Sequence, residues 1–293
     1  MTSTTTTTSS PNATSDRPRR KLPRLLRQRS FILGALIIAV MALCAVFAPW
    51  IAPHDPVEQN FDHTLEAPSA QFLLGTDMFG RDQLSRVIFG ARISFMVGFI
   101  SVGIALLAGG LLGLIAAYAR GWLDNLIMRV MDVLLAFPFL LLTIAIMASF
   151  GTNLANAMIA IGIVYTPSFA RITRAATLGV MEQGFIEATK ALGSSPVRLM
   201  LRHVLPNITG PLIVQTTLSL AFAILAEAAL SFLGLGTQPP TPSWGLMLNE
   251  GRSFFNTAPW LAIFPGVAIT LAVLGFNLLG DGLRDALDPR LRD

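Results

Sequence analysis

The sequence has 293 residues, of which 53% are hydrophobic and 13% charged, and a formal net charge of +4. This composition excludes an ordinary soluble globular domain and is typical of a polytopic membrane protein. The basic residues are distributed among polar loops rather than gathered on one face, so nucleic-acid binding is not predicted. Cys44 is the single cysteine, which excludes an intramolecular disulfide and a thiolate metal cluster.

Residues 1–29 are rich in Ser and Thr and end in a run of basic residues. They predict a disordered cytoplasmic tail ahead of a membrane domain over 30–293. The first apolar run covers about 21 residues, enough for the ~30 Å hydrocarbon layer, and lacks a small-residue cleavage site, so it predicts a retained span. In all, the apolar runs predict six spans, near 31–51, 93–118, 133–150, 154–170, 208–235 and 259–279.

The loop after the first span contains the sequence LGTDMFGRDQLSRVIFGAR at 74–92. Taken alone, the part at 82–88 could begin an interfacial helix whose residues Leu84, Val87 and Ile88 face the lipid, although the motif as a whole is more specific than that. The loop also carries His54 and His63, but two isolated histidines fall short of the ligand set that a metal needs, so no metal site is predicted.

Small residues and a proline characterise the second and third spans. Pro138 removes a backbone donor and predicts a kink in the third span. Asp132 lies one helical turn from Arg129, and we expect the two side chains to pair. The second span carries a face of small residues that would let another helix approach closely, formed by Gly109, Gly110 and Gly113.

Residues 181–206, here called the elbow, are polar and charged within an otherwise apolar sequence. They predict two short amphipathic helices joined at Gly193, because glycine adopts the left-handed conformation of a helix C-cap without steric cost. Ser195 and Pro196 supply an N-cap and a first-turn proline for the second helix, which Pro206 is expected to end. The apolar stripes contain Met181, Phe185, Ala188 and Leu192 in the first helix and Val197, Met200, Leu201, Val204 and Leu205 in the second.

From periodicity alone the elbow could equally be a pair of helices lying at the membrane boundary. Its spacing is more specific: Glu187-Ala188, four residues, Gly193, nine residues and a run ending in Leu205-Pro206. This pattern resembles the EAA loop of ABC importer permeases, the cytoplasmic segment that docks into a groove of the ATPase subunit. The 74–92 motif, the segment through Gly236 and the C-terminal 280–290 resemble the DppC/OppC-type branch of that family.

The resemblance implies an all-α membrane protein with six transmembrane helices and a cytoplasmic EAA coupling loop. It implies a path for dipeptides or oligopeptides, with nickel as the alternative cargo, formed with a sister permease in a heterodimer. Two ATP-binding subunits would bind ATP and Mg, and an extracytoplasmic substrate-binding protein would deliver the cargo. The residues that this resemblance assigns to ATPase coupling are Glu187, Ala188, Gly193, Arg198, Arg202 and Pro206.

The chain itself is expected to hold no catalytic residue and no cofactor. A P-loop needs Gly-Lys-Ser/Thr, but Lys21 follows Arg20 and Lys190 follows Thr189. A membrane enzyme is not favoured because no clustered His, Asp, Glu or Ser site is evident.

Glu227 is an ionisable residue inside the fifth span, which indicates a polar partner or a water-lined path. An ion-gradient-driven secondary transporter is a less favoured alternative, since Glu227 is nearly alone and no inverted repeat is evident.

The basic residues also predict the orientation in the membrane. With both termini in the cytoplasm, 17 of the 21 Lys and Arg residues fall on the inner side and four on the outer side. This bias predicts that the elbow lies in the cytoplasm. The resemblance implies a multi-pass protein of the bacterial inner membrane.

Overall fold

The computed structural model describes residues 28–287, which are almost entirely α-helical and contain no β-strand. The predicted tail at 1–29 therefore lies almost wholly outside the described residues, as does the end of the C-terminal motif. Within 28–287 the α-helices are α1 (Arg29–Val46), α2 (Ala48–Ile51), α3 (Gln83–Ala119), α4 (Gly121–Ala136), α5 (Phe139–Phe150), α6 (Leu154–Met181), α7 (Gly184–Ala191), α8 (Pro196–Phe232), α9 (Trp244–Gly251) and α10 (Trp260–Leu287).

Four of these helices, α1, α3, α8 and α10, are long and apolar enough to cross a membrane. The pair α4 and α5 would add a fifth span if the two helices cross as one broken unit. Helix α6 has 28 residues but is not among the candidates, and polar residues interrupt its apolar sequence. The all-α membrane class is thus confirmed, whereas the count of six spans stays a prediction.

Helices α3 and α6 pack closely along a glycine face. A Cβ on Gly109 would come within 2.4 Å of the Thr166 carbonyl oxygen, and one on Gly113 within 2.5 Å of the Ala170 carbonyl oxygen. The prediction of a close helix contact is confirmed for these two glycines. Gly110 does not contribute to this contact, because a Cβ there would meet no atom within 4 Å.

The predicted kink at Pro138 is a complete break. Helix α4 ends at Ala136, Pro138 occupies the N-cap position of α5, and the two helices are bent by 97°. Proline lacks the N–H that would continue the α4 hydrogen-bond ladder, so the chain changes direction there.

A helix does begin within 82–88, but its expected lipid-facing stripe is wrong for Ile88, while Leu84 and Val87 are half-buried. Asp82 caps the N-terminus of α3 by accepting from the Ser85 backbone N–H at 2.8 Å, and the helix continues unbroken from Gln83. Ile88 is buried rather than lipid-facing. The reason is α9, whose buried Trp244 packs against this turn and donates from Nε1 to the Val87 carbonyl oxygen at 2.9 Å.

Candidate functional site

The elbow has the turn that the sequence predicts. Helix α7 ends at Ala191, and Gly193 has φ of 78°, a conformation that favours glycine. Ser195 then caps α8, its hydroxyl accepting from the Arg198 backbone N–H at 3.4 Å, with Pro196 in the first turn.

Pro206 does not end the second helix, contrary to the prediction. The stretch Met200–Val204 is a π-helix, and α-helix resumes at Leu205, so one 37-residue helix runs from Pro196 to Phe232. The Leu205 N–H donates to the Met200 carbonyl oxygen, one residue further back than in an α-helix. Pro206 lies two residues beyond this π turn, in the first turn of the resumed α-helix, where a proline is tolerated without a break. The second arm of the elbow and the predicted fifth span are therefore a single helix.

The elbow exposes much of its apolar stripe. Ile186 and Leu199 are buried and attach the elbow to the rest of the protein. On the opposite side Leu192 is 88% exposed, and three further apolar side chains of the predicted stripe are also exposed: Phe185, Val197 and Leu201. Monomeric proteins rarely expose neighbouring large apolar side chains, so this surface is suited to a protein or membrane partner.

Charged side chains border that apolar surface. Glu187 and Lys190 on α7 and Arg198 and Arg202 on α8 are exposed, and none of the four forms a salt bridge with another of the described residues. An apolar centre with a charged rim is the usual composition of a protein interface. All six residues predicted for ATPase coupling are exposed, with Glu187 and Ala188 on α7, Gly193 in the turn and Arg198, Arg202 and Pro206 on α8, and their role stays a prediction.

Two ion pairs tie α4 to α6, the helix that leads into the elbow. Arg174 donates from Nε and Nη2 to the two carboxylate oxygens of Asp124, both at 2.6 Å. Arg171 donates to Asp132 Oδ1 at 2.5 Å. The expected pair between Asp132 and Arg129 is therefore wrong, because the partner comes from another helix rather than from the same one.

Glu227 lies at the far end of α8, about 30 Å along the helix from Pro206 at 1.5 Å per residue. It is fully buried, and three hydroxyl groups donate to its carboxylate: Ser231 at 2.7 Å, Thr237 at 3.2 Å and Ser94 at 3.4 Å. The polar partner that the sequence indicates is thus a set of hydroxyls. They tie α8 to α3 and to the loop before α9.

The 74–92 motif forms a buried charge cluster that sequence reasoning missed. Arg81 and Arg86 both donate to Glu250 Oε2, at 3.1 and 2.9 Å, and both approach Asp77 Oδ2, at 2.6 and 3.4 Å. The four charges balance, as burial requires. The closely spaced Asp and Arg residues of the motif could have indicated ion pairing, but nothing in the sequence identifies Glu250 as their partner.

The two histidines of the same loop, His54 and His63, both pack near Phe72, with ring centroids 5.2 and 5.3 Å from that of the phenyl ring. His63 Nδ1 is 2.7 Å from Glu66 Oε1, and His54 Nδ1 is 3.7 Å from Asp82 Oδ2. Among the residues that the structure covers, no three His, Cys, Asp or Glu side chains come together as a metal site would require.

Comparison with known families gives two matches along the chain. The family described as "Binding-protein-dependent transport system inner membrane component" matches residues 109–293. The family described as "N-terminal TM domain of oligopeptide transport permease C" matches residues 19–68.

Several curated proteins resemble the chain over nearly its whole length. The di/tripeptide transport system permease protein DppC of Pseudomonas aeruginosa is 51% identical over 266 residues, covering 89% of this chain and 88% of that protein. The dipeptide transport system permease protein DppC of Alkalihalophilus pseudofirmus is 48% identical over 274 residues, covering 94% of this chain and 90% of that protein. The glutathione transport system permease protein GsiD of Escherichia coli is 47% identical over 270 residues, covering 92% of this chain and 89% of that protein.

Among solved structures, an inward-facing form of the MetNI methionine ABC transporter is similar to the chain. The TM-score is 0.59 at 18% identity, and the match covers 70% of this chain and 98% of that chain. At this identity the likeness concerns the fold alone, which is that of an ABC transporter membrane subunit.

Proposed function

The chain belongs to the family of binding-protein-dependent transport system inner membrane components, and from this membership we propose that it is the permease through which short peptides enter the cell. As a member it is a multi-pass inner-membrane permease of the DppC/OppC type, not an enzyme, and it works with ATPase and substrate-binding proteins. The finer proposal concerns its cargo, its assembly and its orientation.

The cargo proposal depends on the identity of 47–51% to relatives named for dipeptides, di/tripeptides and glutathione. These names share one chemical class, a short chain of amino acids joined by amide bonds. Nickel, the alternative from the sequence, is not favoured, since none of these three names refers to a metal.

The assembly that we propose has this chain paired with a sister permease, two ATP-binding subunits on the cytoplasmic side and a binding protein on the outer side. The exposed apolar surface of the elbow supports the ATPase contact, because Leu192, Val197 and Leu201 would be costly to leave in water. ATP and Mg would be bound by the partner subunits. Closure of the ATPase pair would move the elbow and, with it, the single helix α8.

The orientation that we propose has both termini in the cytoplasm. It is supported by the 17 of 21 basic residues that would then lie on the inner side. In this orientation the buried charge cluster around Glu250 belongs to the outer face, opposite the elbow.

A reconstituted four-component system tests the function. Vesicles containing this chain, its sister permease and the ATP-binding subunits should take up a labelled dipeptide only with ATP and a loaded binding protein, and ionophores should not reduce uptake. Uptake that collapses with ionophores but persists without ATP would indicate the secondary-transporter alternative. Uptake of nickel but not of peptide would exclude the proposed cargo.

A further inference from the structure

A cavity of about 380 Å³ lies between α3, α6 and α8, beginning at the level where α8 leaves the elbow, and it is open to the surface of the chain, with Leu107 and Leu111 exposed on its wall. Its volume is within the range of small-molecule sites, about 300–1,000 Å³. Leucine and isoleucine side chains form most of the wall, and three threonines interrupt it. The lining residues include Leu107, Leu111, Ile213, Thr173, Thr209 and Thr216.

The two threonines of α8 present hydrogen-bond acceptors to this cavity. The Thr209 hydroxyl donates to the Pro206 carbonyl oxygen at 2.9 Å, and the Thr216 hydroxyl to the Leu212 carbonyl oxygen at 2.7 Å. Each proton is thus used within the helix, while lone pairs on the hydroxyl oxygen stay available. These oxygens suit a ligand that brings N–H groups.

The cavity wall contains no charged residue among those that the structure describes. A lipid chain would fit the apolar part at little cost to the threonines, because both hydroxyls already donate within the helix, but it would gain nothing from their free lone pairs. A peptide uses both parts, because backbone N–H groups meet the hydroxyls while the leucines accommodate side chains of varied shape. Without an opposite charge to hold either terminus, the contact would be weak, as a path requires.

We propose that this cavity is a segment of the peptide path on this chain, with Thr209 and Thr216 as contacts for the peptide backbone. The inference rests on the proposed function and adds the residues that the cargo touches. The segment is mechanically joined to the elbow, since Thr209 follows the exposed Val197 by 12 residues, about 18 Å, on the same continuous helix. A tilt of the elbow therefore displaces one wall of the cavity.

The hydroxyls can be tested by matched substitutions. The double variant Thr209→Val, Thr216→Val keeps the shape of the side chains and should slow dipeptide uptake by about fivefold, the effect of one weak hydrogen bond in total. Thr209→Ser, Thr216→Ser retains the oxygens and should transport near the parental rate. Equal rates for the Val and Ser variants would show that the hydroxyls do not contact the peptide.

Accessibility of introduced cysteines tests the path itself. In a Cys44→Ser background, Leu111→Cys and Thr209→Cys should react with a charged, water-soluble thiol reagent, whereas Leu36→Cys on the exposed face of α1 should not. Dipeptide delivered by its binding protein in the presence of ATP should slow the reaction about twofold, as expected for a weakly held peptide that occupies the path about half of the time.

Three results would overturn the inference while leaving the proposed function intact, provided that the Cys44→Ser complex imports dipeptide. Reaction only with a lipid-soluble maleimide would show that acyl chains fill the cavity. No reaction with either reagent would show that the sister permease covers it. Reaction with the charged reagent that dipeptide fails to slow would show that water, but not the peptide, occupies it. A Cys44→Ser complex that imports no dipeptide would overturn the proposed function and this inference together.

Discussion

Arg86 and Glu250 lie 164 positions apart in the sequence, and Arg86 Nη2 donates to Glu250 Oε2 at 2.9 Å. The Arg86 side chain is 0% exposed and that of Glu250 is 15% exposed. This pair fastens the first turns of α3 to α9, and Arg81, which also donates to Glu250 Oε2, fastens the loop before α3. The pair therefore closes one end of the helix bundle.

Arg86→Gln should destabilise the protein strongly. Removing one member of a buried charge pair leaves its partner uncompensated and costs about 3–5 kcal/mol. We expect a clear fall in the thermal unfolding temperature of the purified permease pair. Arg92→Gln is the control, because Arg92 lies on the same helix but is exposed. An equal loss of stability in both variants would show that burial of the charge cluster does not add to the stability of the protein.

Gly193→Ala should impair coupling although the site has room for a methyl group. A Cβ at Gly193 would meet nothing within 4 Å, so the cost is the left-handed backbone alone, about 1–2 kcal/mol. We expect reduced ATP-driven uptake with normal membrane insertion, and a smaller effect for Gly193→Asn. Gly184→Ala is the matched control, since Gly184 also has open space around it but no positive φ. Uptake reduced equally by the two alanine substitutions would refute the backbone argument.

Glu227→Gln should be mild and Glu227→Leu harmful. Glutamine keeps an oxygen where Ser231 and Thr237 donate, and its NH₂ group can donate to the Ser94 hydroxyl. Leucine leaves three buried hydroxyls without their acceptor, at about 1–3 kcal/mol for each unsatisfied group. The measurement is the yield and thermal stability of the assembled permease pair. Full stability of the leucine variant would show that the hydroxyls find other partners.

Topology can be mapped by tags and single cysteines. Tags at Thr5 and Asp293, which lie outside the described residues, should report the cytoplasm, and Glu58→Cys should be labelled from outside. Because Glu250 is part of the buried cluster, the exposed Ser253 is the better cysteine site in the second outer loop. Labelling of Ser194→Cys from outside would show that the protein has the opposite orientation to the one proposed.

Features that depend on local backbone chemistry were predictable from the sequence. The turn at Gly193, the break at Pro138 and the close contact at Gly109 each follow from the conformational limits of one residue type. The burial and polar partnering of Glu227 also followed, since an isolated carboxylate in an apolar helix needs donors.

Features that depend on which helices meet were not predictable. Asp132 pairs with Arg171, 39 positions away, rather than with the nearer Arg129, because α6 packs beside α4. The continuation of α8 through Pro206 was missed for a related reason: the π turn at Met200–Val204, just before the proline, has no clear sequence signal. The family resemblance supplied the role of the elbow, but only the structure showed that its second arm is continuous with the membrane helix.

ATP-driven dipeptide uptake by a Glu187→Lys complex tests most directly whether the elbow couples ATP hydrolysis to transport. Glu187 is exposed beside the apolar surface, so lysine reverses one charge at the proposed ATPase contact without disturbing buried groups. Glu58→Lys makes the same change at an exposed position of the opposite loop and serves as the control. We predict that Glu187→Lys inserts and pairs with the sister permease but loses uptake and substrate-stimulated ATP hydrolysis, whereas Glu58→Lys retains both. Uptake at the parental rate by Glu187→Lys would contradict the coupling assignment and would favour an elbow that rests on the lipid surface.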